Sequence, residues 1–286
     1  MNMVQELRGK PVVDAMMARI ASDCQRLQEH SIAPTLAIVR IGERSDDCSY
    51  ERMAIKRADV AGIKTQVHVL GTHTTQQEVI DLLHAINADD TVHGCLLFRP
   101  LPAHMSETDV CEALCEAKDV DGITTASMAR VYADQEGFAP CTAQAVIELL
   151  DHYGIDIAGK RVCVAGRSLV IGRPVSLMLM NRHATVTMCH SRTQDIERRM
   201  READIVVCAT GRARGFGPEC FAPGQTVIDV GINFDQEGIL CGDVDFGPVS
   251  EIVESITPVP GGIGGITTAV LMEHVVRAAA RQHKLS

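Results

Sequence analysis

A glycine-containing loop that follows an apolar strand is the first candidate for binding chemistry in this sequence of 286 residues. Residues 161–165 are short, apolar and rich in β-branched side chains, which predicts a buried parallel strand. Gly166, Arg167 and Ser168 come next, followed by Gly172 and by helix-like apolar spacing. Such a layout offers backbone N–H groups and a helix N-terminus to a phosphate. The spacing is not GxGxxG, so an ordinary turn between strand and helix is the alternative.

Other small or polar residues in this half of the chain also follow predicted strands. His190–Thr193 comes after the strand 184–189, Gly211 ends the strand 204–211, and Gly231–Asn233 ends the strand 226–233. Ligands of open α/β sheets bind outside the carboxyl ends of the strands. The convergence of these loops therefore predicts a dinucleotide site.

The residues after the second of these strands indicate which dinucleotide binds. Proteins that bind NAD usually carry an acidic residue there for the ribose. In this chain Ser191 and Arg192 stand at that place, and Arg167 supplies a second cation for a 2′-phosphate. The sequence therefore favours NADP over NAD.

Strands alternate with helices in both halves of the chain, which predicts an α/β fold with mainly parallel sheets. The charged turn Lys118–Gly122 separates the two halves. We therefore predict a first domain over residues 1–121, completed by a C-terminal helix over residues 268–286, and a second, Rossmann-like domain over residues 122–267.

Composition excludes several classes of function. The net charge of −10 argues against nucleic acid or an anionic membrane as partner. The 11 cysteines contain no C-x-x-C pair, which favours reduced thiols in a cytoplasmic protein without a metal site. We also expect no signal peptide and no membrane-spanning segment.

Taken together, the motifs resemble the methylenetetrahydrofolate dehydrogenase/cyclohydrolase family almost from end to end. The matching residues are Ser49-Tyr50 with Lys56 and Gly62-Ile63, Pro100–Pro102, Lys118–Gly122, Pro140–Thr142, Gly166–Ser168 with Gly172 and Pro174, His190–Thr193, Asp229–Asn233, Gly242–Val244 and Thr257–Gly262. The resemblance implies two α/β domains with a folate-binding cleft between them, and a homodimer. It also implies two activities, which are hydride transfer from 5,10-methylenetetrahydrofolate to NADP and hydrolysis of the methenyl product to 10-formyltetrahydrofolate.

The resemblance also implies roles for individual residues. Tyr50 and Asp121 would contact the pterin and are the catalytic candidates, although Asp121 alone would pass for a charge in a domain-boundary turn. The other folate-binding candidates are Phe98, Pro100, Pro260, Gly261, Gly262 and Thr267. The candidates for binding NADP are Gly166, Arg167, Ser168, Ser191, Arg192, Gly211 and Ile232.

The chain departs from the family pattern at three places. Ala54 stands four residues after Tyr50, where the family has Lys, and Phe98 stands where the family has Gln. The family's Gly-Gly-Val-Gly-Pro-Met-Thr becomes Gly261-Gly262-Ile263-Gly264-Gly265-Ile266-Thr267. The missing Lys and Gln are the groups with which the family activates water and positions the methenyl centre.

Neighbouring cations are not placed to substitute for the missing lysine. Lys56 lies six residues after Tyr50, about 120° away around a helix, and Arg52 also points to another side. Hydride transfer depends mainly on the cofactor and on orientation, whereas hydrolysis needs an activated water. The sequence therefore predicts that dehydrogenase activity is kept and that cyclohydrolase activity is weak or absent.

Two alternatives remain open from the sequence. One is a fully bifunctional enzyme in which another residue activates water, and the other is a non-catalytic or repurposed paralogue that binds folate or dinucleotide. Phe98 either excludes water from the reacting carbon or indicates a different substrate.

Overall fold

The structure is a computed structural model, and it describes residues 4–285. The strands are β1 (Gln5–Glu6), β2 (Thr35–Ile41), β3 (Lys64–Leu70), β4 (Gly94–Leu97), β5 (Arg161–Ala165), β6 (Thr185–Cys189), β7 (Ile205–Cys208), β8 (Thr226–Asp229), β9 (Asn233–Phe234), β10 (Leu240–Cys241) and β11 (Ser255–Ile256). The helices are α1 (Gly9–Glu29), α2 (Ser45–Ala61), α3 (Gln76–Ala88), α4 (Glu107–Glu112), α5 (Thr125–Tyr132), α6 (Cys141–His152), α7 (Gly172–Asn181), α8 (Ile196–Arg201), α9 (Phe246–Ser250) and α10 (Ile263–Gln282).

The chain divides into two compact units. The three-stranded unit contains Ala15–Cys141 and the described residues from Thr268 onward, and the six-stranded unit contains the described residues up to Asp14 together with Thr142–Thr267. The sequence had placed the division after residue 121, with the N-terminus in the first domain. Two features explain the difference: β1 pairs with β11 in the larger sheet, and Asp119 binds the residues that follow it.

The six-stranded sheet is parallel throughout, in the order β1-β11-β8-β7-β5-β6. The chain passes from β5 to β6 on one side and then returns to β7 on the other, so the strand order reverses at β5. Ligands of such sheets bind at this switch point. The fold therefore places the glycine loop after β5 where the sequence had predicted a dinucleotide.

The smaller sheet is also parallel, in the order β3-β2-β4. The central strand β2 is buried along its whole length, which is why its sequence is a continuous apolar run rather than an alternating one. One face of the sheet packs on α3 and α4. The core on that face consists of Ala37, Val39, Ile41, Val79, Leu83, Ile86, Val92, Cys95, Leu97, Met105, Val110, Cys111 and Leu114.

Glycine and capping side chains fix several helix ends in the three-stranded unit. Gly62 ends α2 in the left-handed conformation with φ 77°. Thr75 and Glu78 form a reciprocal capping box at the start of α3, and Ser106 caps α4. Helix α10 begins at Ile263, earlier than the predicted start at residue 268, and α5 was not predicted as a helix.

Three further findings concern residues 4–285. No helix in this range combines the length and the apolar character needed to cross a membrane. No group of three or more His, Cys, Asp or Glu side chains in the same range is arranged to hold a metal ion. The eleven cysteines are free thiols, and nine of them are buried.

A buried histidine links β2 to the end of the chain in the three-stranded unit. His93 Nδ1 accepts the Thr35 N–H at 3.1 Å, so in the neutral ring Nε2 carries the proton and donates to His283 Nε2 at 3.4 Å. Burial, with smaller contributions from His283 and Lys118, lowers the pKa of His93 to about 4. Its neutral form is therefore the form that the fold stabilises.

We predict that this histidine makes the three-stranded unit sensitive to acid. The unfolded chain binds a proton at a pKa of about 6.5, so His93 contributes full stability above that pH and loses it as the pH falls toward 4. The expected loss between pH 8 and pH 5 is about 2 kcal/mol. His93→Asn keeps an acceptor for Thr35 and should flatten the pH dependence of the unfolding free energy. The matched control is His73→Asn at an exposed position, and equal pH dependence in both variants would contradict the prediction.

Candidate functional site

The glycine loop after β5 has a backbone that other residues would disrupt. Gly166 has φ 136°, and a Cβ there would collide with the carbonyl of Ala209 at the end of β7. A Cβ on Gly172 would collide with the backbone of Gly166. Ser168 Oγ accepts the Ile171 N–H at 3.1 Å, at the start of α7. The loop is thus compact and lies against the switch point of the sheet.

The turn after β6 is held by its own side chains. His190 N–H donates to Thr193 Oγ1 at 2.9 Å, and Arg192 N–H donates to His190 Nδ1 at 3.1 Å. Ser191 and Arg192 are exposed, as is Arg167 in the glycine loop. Neither arginine forms an ion pair with any described residue. Both guanidinium groups are therefore available to an anionic group such as a phosphate.

A buried carboxylate joins the loops that follow β7 and β8. Asp243 Oδ2 accepts the N–H of Thr210, the Thr210 hydroxyl at 2.9 Å and the N–H of Gly211 at 3.2 Å. Its Oδ1 accepts the Arg212 N–H at 3.0 Å and the Asn233 amide at 2.9 Å. These contacts place Gly211 at the same sheet edge as Asn233, although the two residues belong to different loops.

A second carboxylate supports the first. Asp229 accepts backbone N–H groups of Gly231 at 2.9 Å, Asp243 at 3.0 Å and Val244 at 2.8 Å. Burial raises the pKa of Asp229 to about 6, against the lowering effect of these donors. A Cβ on Gly231 or Gly242 would collide with one of the two carboxylates. The close approach explains why glycine stands at both positions.

The remaining candidates of the six-stranded unit lie beside this network. Ile232 is exposed, with 68% of its surface accessible. Thr257 Oγ1 accepts the Asp229 N–H at 2.7 Å, and Gly261 O accepts the Gly9 N–H at 2.7 Å.

Within the segment after Thr257, accessibility varies from residue to residue. Pro260 and Gly261 are exposed, whereas Gly262 is buried and a Cβ there would collide with Pro258 O. Thr267 is buried in the first turns of α10. The segment is therefore accessible to a ligand at Pro260 and Gly261, but not at Gly262 and Thr267.

In the three-stranded unit, the structure brings Tyr50 and Phe98 together. Their rings meet edge to face, with centroids 5.8 Å apart and planes at 79°. Ala54, one helical turn after Tyr50 on α2, is completely buried. Pro100 is exposed just beyond Phe98. A methyl group and an aromatic ring therefore lie beside Tyr50 at positions 54 and 98.

Asp121 completes this group. Burial raises the pKa of the Tyr50 phenol well above its usual value and the negative charge of Asp121 raises it further, so Tyr50 is neutral at pH 7. Burial raises the pKa of Asp121 itself to about 6, while Arg99 and hydrogen bonds from Cys141 oppose the increase. A carboxyl with such a pKa exchanges protons near neutral pH, which suits a binding or acid–base role.

The turn that carries Asp121 also contains a second aspartate, Asp119, which has a structural role. Asp119 is completely buried and accepts four hydrogen bonds, from the N–H of Ile123 and Thr124 and from the hydroxyls of Thr124 and Ser127. It thus organises the turn by itself.

The lysines of this unit are placed elsewhere. Lys118 is buried and donates to Ile86 O at 2.7 Å and to Asp89 O at 2.6 Å. Lys56 is exposed on another side of α2, and Lys64 and Lys284 are exposed as well. Among the described residues of this unit, no lysine is therefore positioned beside Tyr50 and Phe98.

Sequence reasoning missed several residues that shape these sites. They are Arg99, Asp119, Cys141, Asp229, Asp243 and His274. The signal available in the sequence was the acidic residues within Lys118–Gly122, Asp229–Asn233 and Gly242–Val244, which were noted only as matches. Their pairing with distant donors is a tertiary property that spacing does not reveal.

The fold and these loops define a dinucleotide-binding α/β protein. Its second α/β unit holds Tyr50 and Asp121, the phenol–carboxyl pair. The family profile described as "Tetrahydrofolate dehydrogenase/cyclohydrolase, catalytic domain" matches residues 7–121. The profile of its "NAD(P)-binding domain" matches residues 140–283. The chain therefore belongs to the tetrahydrofolate dehydrogenase/cyclohydrolase family.

Individual relatives cover nearly the whole chain. A protein of Clostridioides difficile (strain 630) named "Bifunctional protein FolD" is 46% identical over 98% of this chain and 98% of its own. The solved structure of the FolD enzyme from Campylobacter jejuni is 36% identical, with a TM-score of 0.95, and the match covers 97% of this chain and 99% of that one.

A third relative is the FolD of Trypanosoma brucei, solved with NADP and an inhibitor. It is 30% identical, with a TM-score of 0.94, over 99% of this chain and 100% of that one. Together the matches confirm the predicted resemblance, the α/β fold class and the assignment of a nicotinamide-dinucleotide domain to the second half of the chain.

We predict that Asp243 is needed for the loops that would hold the dinucleotide. Both of its oxygens face N–H or O–H donors, so an amide NH₂ in Asp243→Asn must face another donor. We expect a loss of about 2–3 kcal/mol in unfolding free energy, together with weaker NADP binding by calorimetry. Asp245→Asn is the matched control, since that side chain makes no capping bond at α9. Unchanged NADP affinity in Asp243→Asn would disprove the prediction.

Proposed function

We propose that this enzyme oxidises 5,10-methylenetetrahydrofolate to 5,10-methenyltetrahydrofolate with NADP. Membership of the family supports the substrate class, and the NADP bound to the Trypanosoma brucei relative supports the cofactor. When bound, NADP would supply the acceptor for the hydride that leaves the methylene carbon. The residues that would hold it are Gly166, Arg167, Ser168, Ser191, Arg192, Gly211 and Ile232.

In this proposal the three-stranded unit binds and orients the folate. The ionised Asp121 carboxylate accepts hydrogen bonds from the pterin, and the Tyr50 ring packs against the folate while its phenol stays neutral. Pro260, Gly261, Gly262 and Thr267 contribute the backbone segment that lines the folate pocket in the family. Hydride transfer needs little more from the protein than this orientation.

We further propose that cyclohydrolase activity is weak or absent, and one observation carries this proposal. The phenol–carboxyl pair contains no amine, because Ala54 and Phe98 occupy the two positions that the family uses to activate water. Losing general acid–base assistance typically lowers a rate by roughly 10²–10⁴-fold. The edge-to-face ring pair also excludes water from this wall of the site.

A second candidate is the complete bifunctional reaction that yields 10-formyltetrahydrofolate. Two observations favour it: relatives carry the name of a bifunctional protein, and Asp121 has a pKa of about 6. A carboxyl poised near neutral pH is able to accept a proton from water. In this case the hydrolysis rate would rise with pH through about 6, as Asp121 ionises.

We predict that restoring the family residues restores hydrolysis. The double variant Ala54→Lys/Phe98→Gln should gain roughly 10²-fold or more in methenyltetrahydrofolate hydrolysis, followed by loss of absorbance, while the dehydrogenase rate, followed by NADPH formation, changes far less. Because position 54 is buried, thermal unfolding establishes first that the variant folds.

Two comparisons separate the candidates. Lys56→Ala is the matched control, since Lys56 is exposed and should leave both activities unchanged. A wild-type enzyme that hydrolyses the methenyl compound as fast as it forms it, with a rate that follows ionisation near pH 6 and disappears in Asp121→Asn, would establish the second candidate and refute the first.

We also propose a homodimer formed through the six-stranded unit, as the family resemblance implies. Strand β6 pairs only with β5 among the described strands, so its other edge offers unpaired backbone groups. Met188 on this strand is 38% exposed and Met180 on α7 is 51% exposed. An apolar sheet edge of this kind is suited to pairing with a second copy of the chain.

We predict that Met188→Lys converts the dimer to a monomer in analytical ultracentrifugation, because a charge on an edge strand opposes edge-to-edge pairing. Val67→Lys is the matched control: Val67 is 41% exposed on β3, an edge strand of the other sheet. A dimer that survives the first change and dissociates with the second would place the interface in the three-stranded unit.

A further inference from the structure

A buried histidine of α10 lies directly behind the candidate catalytic carboxyl. His274 is 1% exposed, and its Nδ1 lies 2.9 Å from Val120 O. A carbonyl oxygen only accepts, so Nδ1 carries the proton and donates it. Burial lowers the pKa of His274 to about 4, which keeps the ring neutral and this tautomer in place at neutral pH.

The Val120 carbonyl and the Asp121 N–H belong to one planar peptide group. Fixing the carbonyl therefore fixes the orientation of the peptide from which Asp121 projects. The Cys141 thiol donates to the same carbonyl at 3.3 Å, and the Cys141 backbone N–H forms a hydrogen bond to the Asp121 carboxylate. Two residues from different helices thus hold the peptide and the carboxylate together.

Packing leaves the imidazole little freedom to turn. The Phe138 ring contacts the imidazole at a centroid distance of 5.2 Å. The guanidinium of Arg281 in turn lies 4.9 Å from the centroid of the Phe138 ring. Cys141 Sγ lies 3.8 Å from His274 Nδ1. The ring is therefore enclosed by an aromatic group and a thiol, and its one donor is directed at Val120.

We propose that His274 is a positioning residue for Asp121, which holds the Val120–Asp121 peptide in the orientation that presents the carboxylate to the folate. The proposal rests on the proposed function, because it assigns His274 a role in binding the substrate of that reaction. His274 does not touch the substrate itself. It acts through the backbone of Val120.

Three substitutions test the role of the donor atom. An Asn amide nitrogen takes the place of Nδ1, a Gln amide nitrogen takes the place of Nε2, and Leu offers no donor. We expect His274→Leu and His274→Gln to raise KM for methylenetetrahydrofolate about three- to tenfold, as for the loss of one hydrogen bond, with a smaller change in kcat. His274→Asn should stay close to wild type, and KM for NADP should not change in any variant.

A control on the same helix separates positioning from general stability. Met272 is completely buried, and Met272→Ala should lower the melting temperature at least as much as His274→Leu. Positioning requires that Met272→Ala leaves the folate KM unchanged. The proposal would be overturned if the folate KM rose in proportion to the fall in melting temperature across all four variants. It would also be overturned if His274→Gln and His274→Asn had the same folate KM.

Calorimetric titration with tetrahydrofolate distinguishes the failure of this proposal from failure of the proposed function. If the wild type binds tetrahydrofolate but does not reduce NADP, the proposed function fails, and the affinities of the variants still decide the role of His274. If the wild type is active and the affinities of His274→Leu and His274→Gln equal that of the wild type, only the positioning role fails.

Discussion

A carboxylate that is removed from water must be surrounded by hydrogen-bond donors, and here those donors come from the loops that carry the candidate site residues. In the three-stranded unit Asp119 collects four donors from the residues that follow it. In the six-stranded unit Asp229 and Asp243 collect donors from loops that follow two different strands. Each carboxylate therefore fixes several segments at once, and the glycines around Asp229 and Asp243 are needed because a Cβ would enter the space of the oxygens.

Asp121 differs from these three in its hydrogen-bond donors, which come from one residue, Cys141, and not from several segments of the chain. Asp119 and Asp121 are two residues apart, yet only Asp119 has donors from several neighbouring residues. Asp121 is held by Cys141 and faced by Arg99, and its pKa remains raised at about 6. A buried carboxylate with a complete set of donors stabilises a loop, whereas one with a raised pKa beside an accessible surface is suited to binding or proton exchange. Asp119 therefore stabilises the turn, and Asp121 is the candidate for binding or proton exchange.

Features encoded by local pattern could be predicted from the sequence, and features encoded by distant pairing could not. The strand Arg161–Ala165, the capping box of Thr75 and Glu78, and the glycine end of α2 all depend on residues a few positions apart. The two-residue strands β1 and β11 carry no period that could reveal them, and only their mutual pairing places Gln5 and Glu6 in the larger sheet. His274 is likewise one of several polar residues in the sequence of α10, and only the structure shows Val120 O opposite its Nδ1. The candidate site residues were found because a family pattern marks them, while their supporting carboxylates were visible only in three dimensions.

The complete bifunctional reaction would require Asp121 both to bind the pterin and to accept a proton from water. Tyr50 stays neutral at pH 7 because burial and Asp121 raise the pKa of its phenol, so it does not take a proton from water. Asp121 is then the ionisable base that this pair can offer. Under the proposed function the same carboxylate accepts hydrogen bonds from the pterin, and oxygens engaged in that way are poor acceptors of a further proton. Folate binding would therefore occupy the base that hydrolysis requires, whereas hydride transfer to NADP would proceed with the carboxylate so engaged.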